Sequence, residues 1–294
     1  MNNNPESNIF KLFELLNPCR LCPNSCGAKR LEGEPGECRT ANDIFVASAN
    51  VHHSEEPPIS GSRGSGTIFF ANCSLSCVFC QNYPISQLGN ANLYTLKQLV
   101  AAMLELQSKG VHNINFVTPT HYAAHMAKAV VIAKKEGLII PILYNSSGYD
   151  SVETLKLLEG IVDIYMPDAK YSDNGLSEKY SNAHNYWYVN KKALLEMHRQ
   201  VGTLELDKEG IAVKGLIIRH LVLPGGIAGS KEVLEFIAEH ISNKTFLSLM
   251  AQYHPANKSN NYPELARRLT EDEYGRIRDF AHALGFVNGW QQEL

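Results

Sequence analysis

The chain has no run of about 18 or more consecutive apolar residues, the length a helix needs to cross a bilayer, so no membrane span is expected. Met1 to Pro5 lack the apolar core of a secretion signal, which makes a cytoplasmic location the default expectation. Excess charge is also missing: a formal net charge of -3 gives no reason to expect nucleic acid as a partner. What the 294 residues do have is 44% hydrophobic content, enough for a substantial core. A chain of this length can be one enclosing barrel with a small attachment. Its seven cysteines fall into two groups, at 19–38 and 73–80. Grouped thiols without a secretion signal fit metal chemistry in a reducing compartment better than an extracellular disulfide framework.

The run Cys73-Ser74-Leu75-Ser76-Cys77-Val78-Phe79-Cys80 organises the rest, and it follows the apolar stretch Gly66 to Ala71. Three soft thiolates this close can serve one metal centre, in a C-x3-C-x2-C spacing unlike the C-x2-C-x2-C of cluster ferredoxins. An all-sulfur zinc site normally takes four cysteines, and this run has three. Three thiolates on a four-iron cluster leave one iron open for a substrate or cofactor. Zinc with a distant fourth ligand and a loop of buried thiols are the alternatives. The second group, Cys19, Cys22, Cys26 and Cys38, can close around zinc or a second iron-sulfur cluster, and its uneven spacing does not select between them. Disulfides or buried thiols are the readings without metal.

Along the chain, Ile9 to Leu16 reads as a short helix, Ile44 to Val51 as an apolar segment, and Pro57-Pro58 as an ordered loop. His52 and His53 lack metal-ligand spacing. Gly61 to Gly66 marks a junction, dividing a cysteine-rich metal-binding module at 1–62 from a main domain at 63–294. Strand patterns recur at Ile68–Ala71, Ile114–Val117, Leu138–Leu143, Ile161–Met166, Lys214–Ile218 and Thr245–Met250. Between them lie helical patterns, including one from Thr95 with a capping box and one from Tyr122 to Lys135; another capping box, Thr270 to Glu273, opens a last helix. Six strands alternating with helices predict a parallel α/β architecture whose active residues sit in loops at strand C-termini. A doubly wound open sheet is the alternative.

Cys73, Cys77 and Cys80, with Phe79 before the last cysteine, resemble the signature of the radical S-adenosylmethionine enzymes. The resemblance implies an incomplete (β/α)6 TIM-like barrel followed from about Gly66 to Met250. It also implies a 4Fe-4S cluster whose open iron is chelated by S-adenosyl-L-methionine, with reductive cleavage giving a 5'-deoxyadenosyl radical that abstracts a substrate hydrogen atom. Within that superfamily the chain is similar to homologues of pyruvate formate-lyase activating enzyme, including extended forms with an N-terminal cysteine cluster. A glycyl-radical protein is the partner this implies, with an external electron donor such as flavodoxin or ferredoxin.

The same resemblance suggests cofactor-binding residues at strand ends. Thr118-Pro119-Thr120 stands where the superfamily often has Gly-Gly-Glu-Pro, leaving the backbone of Val117 and Thr118 and the hydroxyls of Thr118 and Thr120 as substitutes for the missing carboxylate. Asn145-Ser146-Ser147-Gly148 resembles a small cofactor loop and offers Asn145 and Ser147. Asp168-Ala169-Lys170 resembles an Asp-x-Lys segment, Arg219 an arginine beside the cofactor, and His254, in Tyr253-His254-Pro255, a late histidine-bearing loop. Each has a bland counterpart in a turn, a salt bridge or a packed loop. Homolysis requires no general base, so no side chain is assigned a catalytic proton transfer. His220 is divided between pocket and structural use, and the polar, aromatic segment Asp173–Gly202 between a lid and a partner-facing surface. A radical enzyme acting on a small metabolite, or a noncatalytic iron-sulfur electron carrier, is the alternative function.

Overall fold

The computed structural model describes residues 5–292. Met1–Asn4, part of the stretch read for a secretion signal, and Glu293–Leu294, the end of the expected main domain, lie outside them. The described residues begin with helix α1 (Pro5–Glu14), which starts before Ile9 and ends before Leu16. Strand β1 (Ile44–His52) then pairs antiparallel with β2 (Ser65–Phe70), from Val46–Phe70 to His52–Ser65. Between them Pro57–Ser60 forms a helical turn, α2, where a loop is expected. Pro57 fits the first helical position because its missing N–H would have no partner there.

After the cysteine loop come α3 (Tyr83–Ser86), the edge strand β3 (Asn92–Tyr94) and α4 (Leu96–Ser108), the last opened by the expected Thr95–Gln98 capping box. The repeating part continues through β4 (Ile114–Val117), α5 (Ala123–Lys135), β5 (Ile142–Ser146), α6 (Val152–Leu157) and β6 (Ile164–Pro167). Helices α7 (Asn174–Ser181) and α8 (Tyr186–Val201) precede the short β7 (Glu205–Leu206) and β8 (Ala212–Leu221). Then follow α9 (Ser230–Ile237), β9 (Phe246–Met250), α10 (Glu271–Ala283) behind its Thr270–Glu273 capping box, and β10 (Gly289–Gln291).

Strands β2, β4, β5, β6, β8 and β9 are parallel, and each pairs with the next. β10 adds in parallel beyond β9, while β1 and β3 extend the other edge antiparallel. A doubly wound sheet reverses its strand order at a switch point. This order never reverses, and among the described residues no pairing joins β10 to β3, so the architecture is an incompletely closed α/β barrel with an N-terminal cysteine-rich region.

The alternation of the strands explains where the core sits. Ile68, Phe70, Phe116, Tyr144, Leu216 and Ile218 join the helices in the main apolar cluster. The intervening Leu143, Ile164, Met166 and Ile217 join Ile59 and Ala212 in a separate cluster. Nearer the strand C-termini this second set turns polar, at Asn145, Asp168 and Arg219. Among the described residues no helix is long and apolar enough to cross a membrane.

Candidate active site and cofactor cleft

The cysteine loop leaves β2 through Asn72, whose φ of +66° turns the chain sharply. It is then fixed from both sides. The Ser76 and Val78 amides donate to the Ser181 and Tyr180 carbonyls, and the Lys258 amide donates to the Val78 carbonyl. Gln87 Nε2 donates to the Cys77 carbonyl at 2.8 Å. Leu75, Val78 and Phe79 are buried among Tyr149, Tyr171, Tyr180, Tyr186 and Tyr253, which leaves the cysteines as the polarizable face of an apolar loop.

Each sulfur has a nearby donor. The Leu75 amide donates to Cys73 Sγ at 3.4 Å, the Ser181 hydroxyl to Cys77 Sγ at 3.1 Å, and Ser86 Oγ lies 3.1 Å from Cys80 Sγ. Burial pushes the Cys73 thiol up to about 12 and also raises Cys77, where Lys170 opposes it. Such thiols become thiolates when a cationic metal centre takes up their charge. Among the described residues no three His, Cys, Asp or Glu side chains meet at the spacing of ligands to one ion. Three free thiols in one loop are the donor set that a four-iron cluster with one open iron would take.

Cys77 and Cys80 share a cleft of about 220 Å³ with Asp168, Lys170, Arg219 and Tyr253. Asp168 is clamped by two cations: Lys170 Nζ lies 2.6 Å from Oδ2 and Arg219 Nε 2.9 Å from Oδ1. Burial disfavours the Asp168 carboxylate, but Arg219 and Lys170 outweigh it and hold its pKa below the ordinary value. Burial likewise disfavours the Lys170 ammonium, and Asp168 with Cys77 more than offsets this. Arg219 Nη2 donates to Asn145 Oδ1 at 2.8 Å, while its Nη1 lies 3.8 Å from Glu55 Oε2. Burial pushes Glu55 up to about 7 against the attraction of Arg219. Asn145, Asp168, Lys170 and Arg219 thus form one hydrogen-bonded and ion-paired network.

Other expected residues are placed differently. Thr118 takes a φ of +59°, rare for a β-branched residue, and its amide donates to the Asn145 carbonyl. The Thr120 hydroxyl is buried and donates to Asp150 Oδ1 at 2.7 Å, beside the hydroxyls of Tyr144 and Ser146 on the same carboxylate. Ser147 presents its carbonyl to the Tyr186 hydroxyl at 2.8 Å. His254 is exposed, with Nδ1 3.2 Å from Gln81 Nε2, just beyond Cys80. In the N-terminal group Cys19, Cys22 and Cys38 are buried, Cys26 is half-buried, and all are free thiols.

Asn190, Asp150 and Glu55 are residues that the sequence reading did not place at the site, and Tyr186, which it read within a lid or partner-facing segment, turns inward to the site loops. The Tyr186 hydroxyl accepts from the Lys170 amide and lies 3.0 Å from the Asp168 carbonyl. Asn190 Nδ2 is 3.0 Å from both the Gly148 and Asp168 carbonyls. Helix α8 is therefore a strut behind two site loops at Tyr186 and Asn190, whereas Tyr188 is exposed. The Tyr186-Trp187-Tyr188 run was the available signal. Glu55 stood next to the Pro57-Pro58 turn with no local feature to set it apart.

Gly148 has a φ of +68°, and a Cβ there would collide with the Asp168 carbonyl and the Asn190 amide. Gly148→Ala should destabilise the fold by about 2–4 kcal/mol, combining overpacking with left-handed strain, and move the Asp168 loop. Urea denaturation checks this; a midpoint shift below about 0.5 kcal/mol equivalent, the range of ordinary surface substitutions, would contradict it.

His220 is fully enclosed, with Nδ1 2.6 Å from the Ala169 carbonyl and Nε2 2.8 Å from Ser230 Oγ. Its role is therefore structural. Burial lowers its pKa from 6.5 to about 4, against the Ala169 hydrogen bond. The unfolded chain takes up this proton first as pH falls, so the contribution is full above about pH 6.5 and lost down to about pH 4. The loss should reach roughly 3 kcal/mol. Urea titrations from pH 7 to 4 should show a flatter decline in His220→Gln than in the parent.

The radical SAM superfamily model matches residues 67–225, which span β2 through the start of the loop after β8. The chain is similar to the uncharacterized protein MJ0674 of Methanocaldococcus jannaschii, 32% identical over 284 residues that cover 93% of this chain and 75% of that one. Among solved structures, a radical SAM methyltransferase from Sphaerobacter thermophilus aligns with a TM-score of 0.50 at 17% identity, covering 77% of this chain and 66% of that one. SuiB of Streptococcus suis bound to S-adenosylmethionine aligns with a TM-score of 0.54 at 15% identity, covering 76% of this chain and 48% of that one. At these identities the structural likenesses concern the fold, and the chain spans less than two thirds of both structures. The family match rests on the sequence that carries the three cysteines and the Asp168 and Lys170 loop: this chain belongs to the radical SAM superfamily.

Proposed function

We propose that this chain cleaves S-adenosylmethionine reductively at a 4Fe-4S cluster held by Cys73, Cys77 and Cys80, and that its substrate is a glycyl-radical protein. The observation that carries this reading is one cleft in which Cys77 and Cys80 face Asp168, Lys170 and Arg219. When bound there, the cluster and S-adenosylmethionine supply an adenosyl radical once an external donor such as flavodoxin or ferredoxin has delivered an electron. The chain's own residues orient and enclose. Lys170 and Arg219 offer directed positive donors to the methionyl carboxylate, Asp168 accepts from an ammonium or ribose hydroxyl, and Asn145 fixes Arg219. Phe79 and Tyr253, edge to face at 5.9 Å, form a nonpolar wall beside the thiols.

Support for the activating-enzyme branch comes from the two segments that suggested it. Asp168 and Lys170 line the cleft, Tyr253 does too, and His254 stands beside Gln81 at its rim. The Thr118–Thr120 stretch departs from the usual glycine-rich segment, and here the Thr118 amide donates to the Asn145 carbonyl. In this reading residues 63–294 form the radical domain and residues 1–62 a second metal module, zinc or iron-sulfur, on Cys19, Cys22, Cys26 and Cys38. The bare backbone of Gly36 faces both Cys26 and Cys38 sulfurs, and fully buried Arg30 points Nη1 at Cys19 Sγ from 4.0 Å.

The test is anaerobic reconstitution with reductant, S-adenosylmethionine and candidate proteins captured from the native extract, quantifying 5'-deoxyadenosine while recording electron paramagnetic resonance spectra. A partner-centred glycyl radical formed with stoichiometric product is expected. Efficient product formation with a defined metabolite and no protein radical would replace the partner by a small substrate. Reversible electron cycling without cofactor cleavage would favour an electron carrier.

A further inference from the structure

The open side of the barrel is spanned by a strap. Residues 53–56 follow the end of β1, and Ser54, Glu55 and Glu56 line a small cavity of about 80 Å³ together with Ser248, Trp290 and Gln292 from the β9–β10 edge. Arg219, Met250 and Gln252 line both this cavity and the cleft that holds Cys77 and Cys80. The strap cavity therefore lies next to the cofactor cleft, on the side where the sheet fails to close.

Three acids, Asp168, Glu55 and Glu56, act on Arg219, the cation that lines this cavity. Asp168 takes the close bonds of Arg219 and Lys170, and Glu55 receives a hydrogen bond from Asn115 Nδ2 at 3.1 Å. Glu56 is 8% exposed, lines the cavity, and its Oε2 has no hydrogen-bond partner among the described residues. A buried carboxylate oxygen without a donor is costly, and the cost is relieved when a cation with N–H donors takes the position. The cavity volume suits an ammonium or guanidinium head.

We propose that Glu56, supported by Glu55, forms a subsite at the lateral opening that receives a positively charged nitrogen group of the substrate. The inference rests on the radical reading of the adjacent cleft and specifies the substrate class for it: the reacting carbon lies close to an ammonium or guanidinium group, on a basic side chain of a protein loop or on a small amine.

Equilibrium dialysis of the reconstituted full chain with radiolabelled methylguanidinium, and separately with acetate, tests this without turnover. Methylguanidinium should bind and acetate should not. Glu56→Gln should weaken binding at least tenfold, while Asp207→Asn, an exposed acid, should leave it unchanged. Should Glu56→Gln fail to fold, Gln252→Glu, which adds an acid to the same cavity, should tighten binding severalfold. A glycine-containing heptapeptide with arginine should bind better than its citrulline counterpart; an arginyl peptide that also outbinds methylguanidinium identifies a protein loop as the source, and parity identifies a small amine. No methylguanidinium binding, equal binding by Glu56→Gln, or equal binding of the citrulline peptide would overturn the proposal. Because the dialysis measures neither cofactor cleavage nor radical formation, such a failure is separable from failure of the radical reading.

Discussion

Replacing Cys73, Cys77 and Cys80 together by alanine is expected to leave the folded chain without a four-iron cluster at this loop and without detectable reductive cleavage of S-adenosylmethionine. The physical reason is the small number of ligands. In the proposed site three thiolates would hold three irons, so no protein ligand is in reserve when one is lost. The loop itself should survive, because its shape is held by the backbone bonds of Ser76, Val78 and Lys258 and by Leu75, Val78 and Phe79 in their aromatic surroundings. Iron content, Mössbauer spectra and 5'-deoxyadenosine yield should fall together while far-ultraviolet circular dichroism stays unchanged. Serine in place of Cys77 alone keeps a small polar group next to Ser181 and separates loss of the ligand from loss of packing. Full cluster retention in the triple variant, with the N-terminal cysteines also removed to exclude their iron, would refute the assignment.

Arg219→Ala should be the most destabilising single change in the cleft, by about 3–5 kcal/mol, the range for removing one partner of a buried charge pair. The guanidinium holds Asp168 and Asn145 through directed bonds and lies near Glu55. Its loss leaves Asp168 paired with Lys170 alone and removes the guanidinium beside Glu55. The penalty should shrink on acidification from pH 7 to 5, since carboxylates deprived of their cation take up protons more readily and the folded state then gains over the unfolded one. Arg219→Ala combined with Asp168→Asn should recover part of the loss by removing a stranded charge. Urea denaturation at both pH values measures this, alongside equilibrium dialysis of S-adenosylmethionine, which should bind at least tenfold more weakly to Arg219→Ala. A change under about 1 kcal/mol, the usual ceiling for an exposed pair, would mean that Arg219 is solvated and its contacts incidental.

Several features of the cleft were legible because each is encoded within a few residues. The offsets between Cys73, Cys77 and Cys80 restrict how three sulfurs can surround a centre, whatever the rest of the chain does. The Thr95–Gln98 and Thr270–Glu273 capping boxes are local exchanges of hydrogen bonds, and both helices start there. The six parallel strands followed from apolar runs bounded by turn residues, since a strand buried on both faces carries that signature, but β5 starts at Ile142 and not Leu138 and runs through Asn145 and Ser146, which the apolar run leaves in the following loop. β3, β7 and β10 were not foreseen: they are two or three residues long and exist through pairing with a longer neighbour.

The sequence by itself determined the three-cysteine spacing, the succession of strands and helices, and the strand-end positions of Asn145, Asp168, Lys170 and Arg219. Only the tertiary structure decided which polar group meets which. Thr120 was read as facing the cofactor, but strand packing brings Asp150 under it, and a buried carboxylate competes for every nearby hydroxyl. Glu55 reads as one acid in a proline-flanked turn until the strap crosses the open barrel and places it against Arg219, far away in the chain. Gly148 looks like any loop glycine until the Asp168 carbonyl and Asn190 arrive where its side chain would be. Local patterns constrain backbone conformation and ligand spacing. The partner of a buried charge depends on register, burial and the approach of distant segments, and no short stretch of sequence contains those.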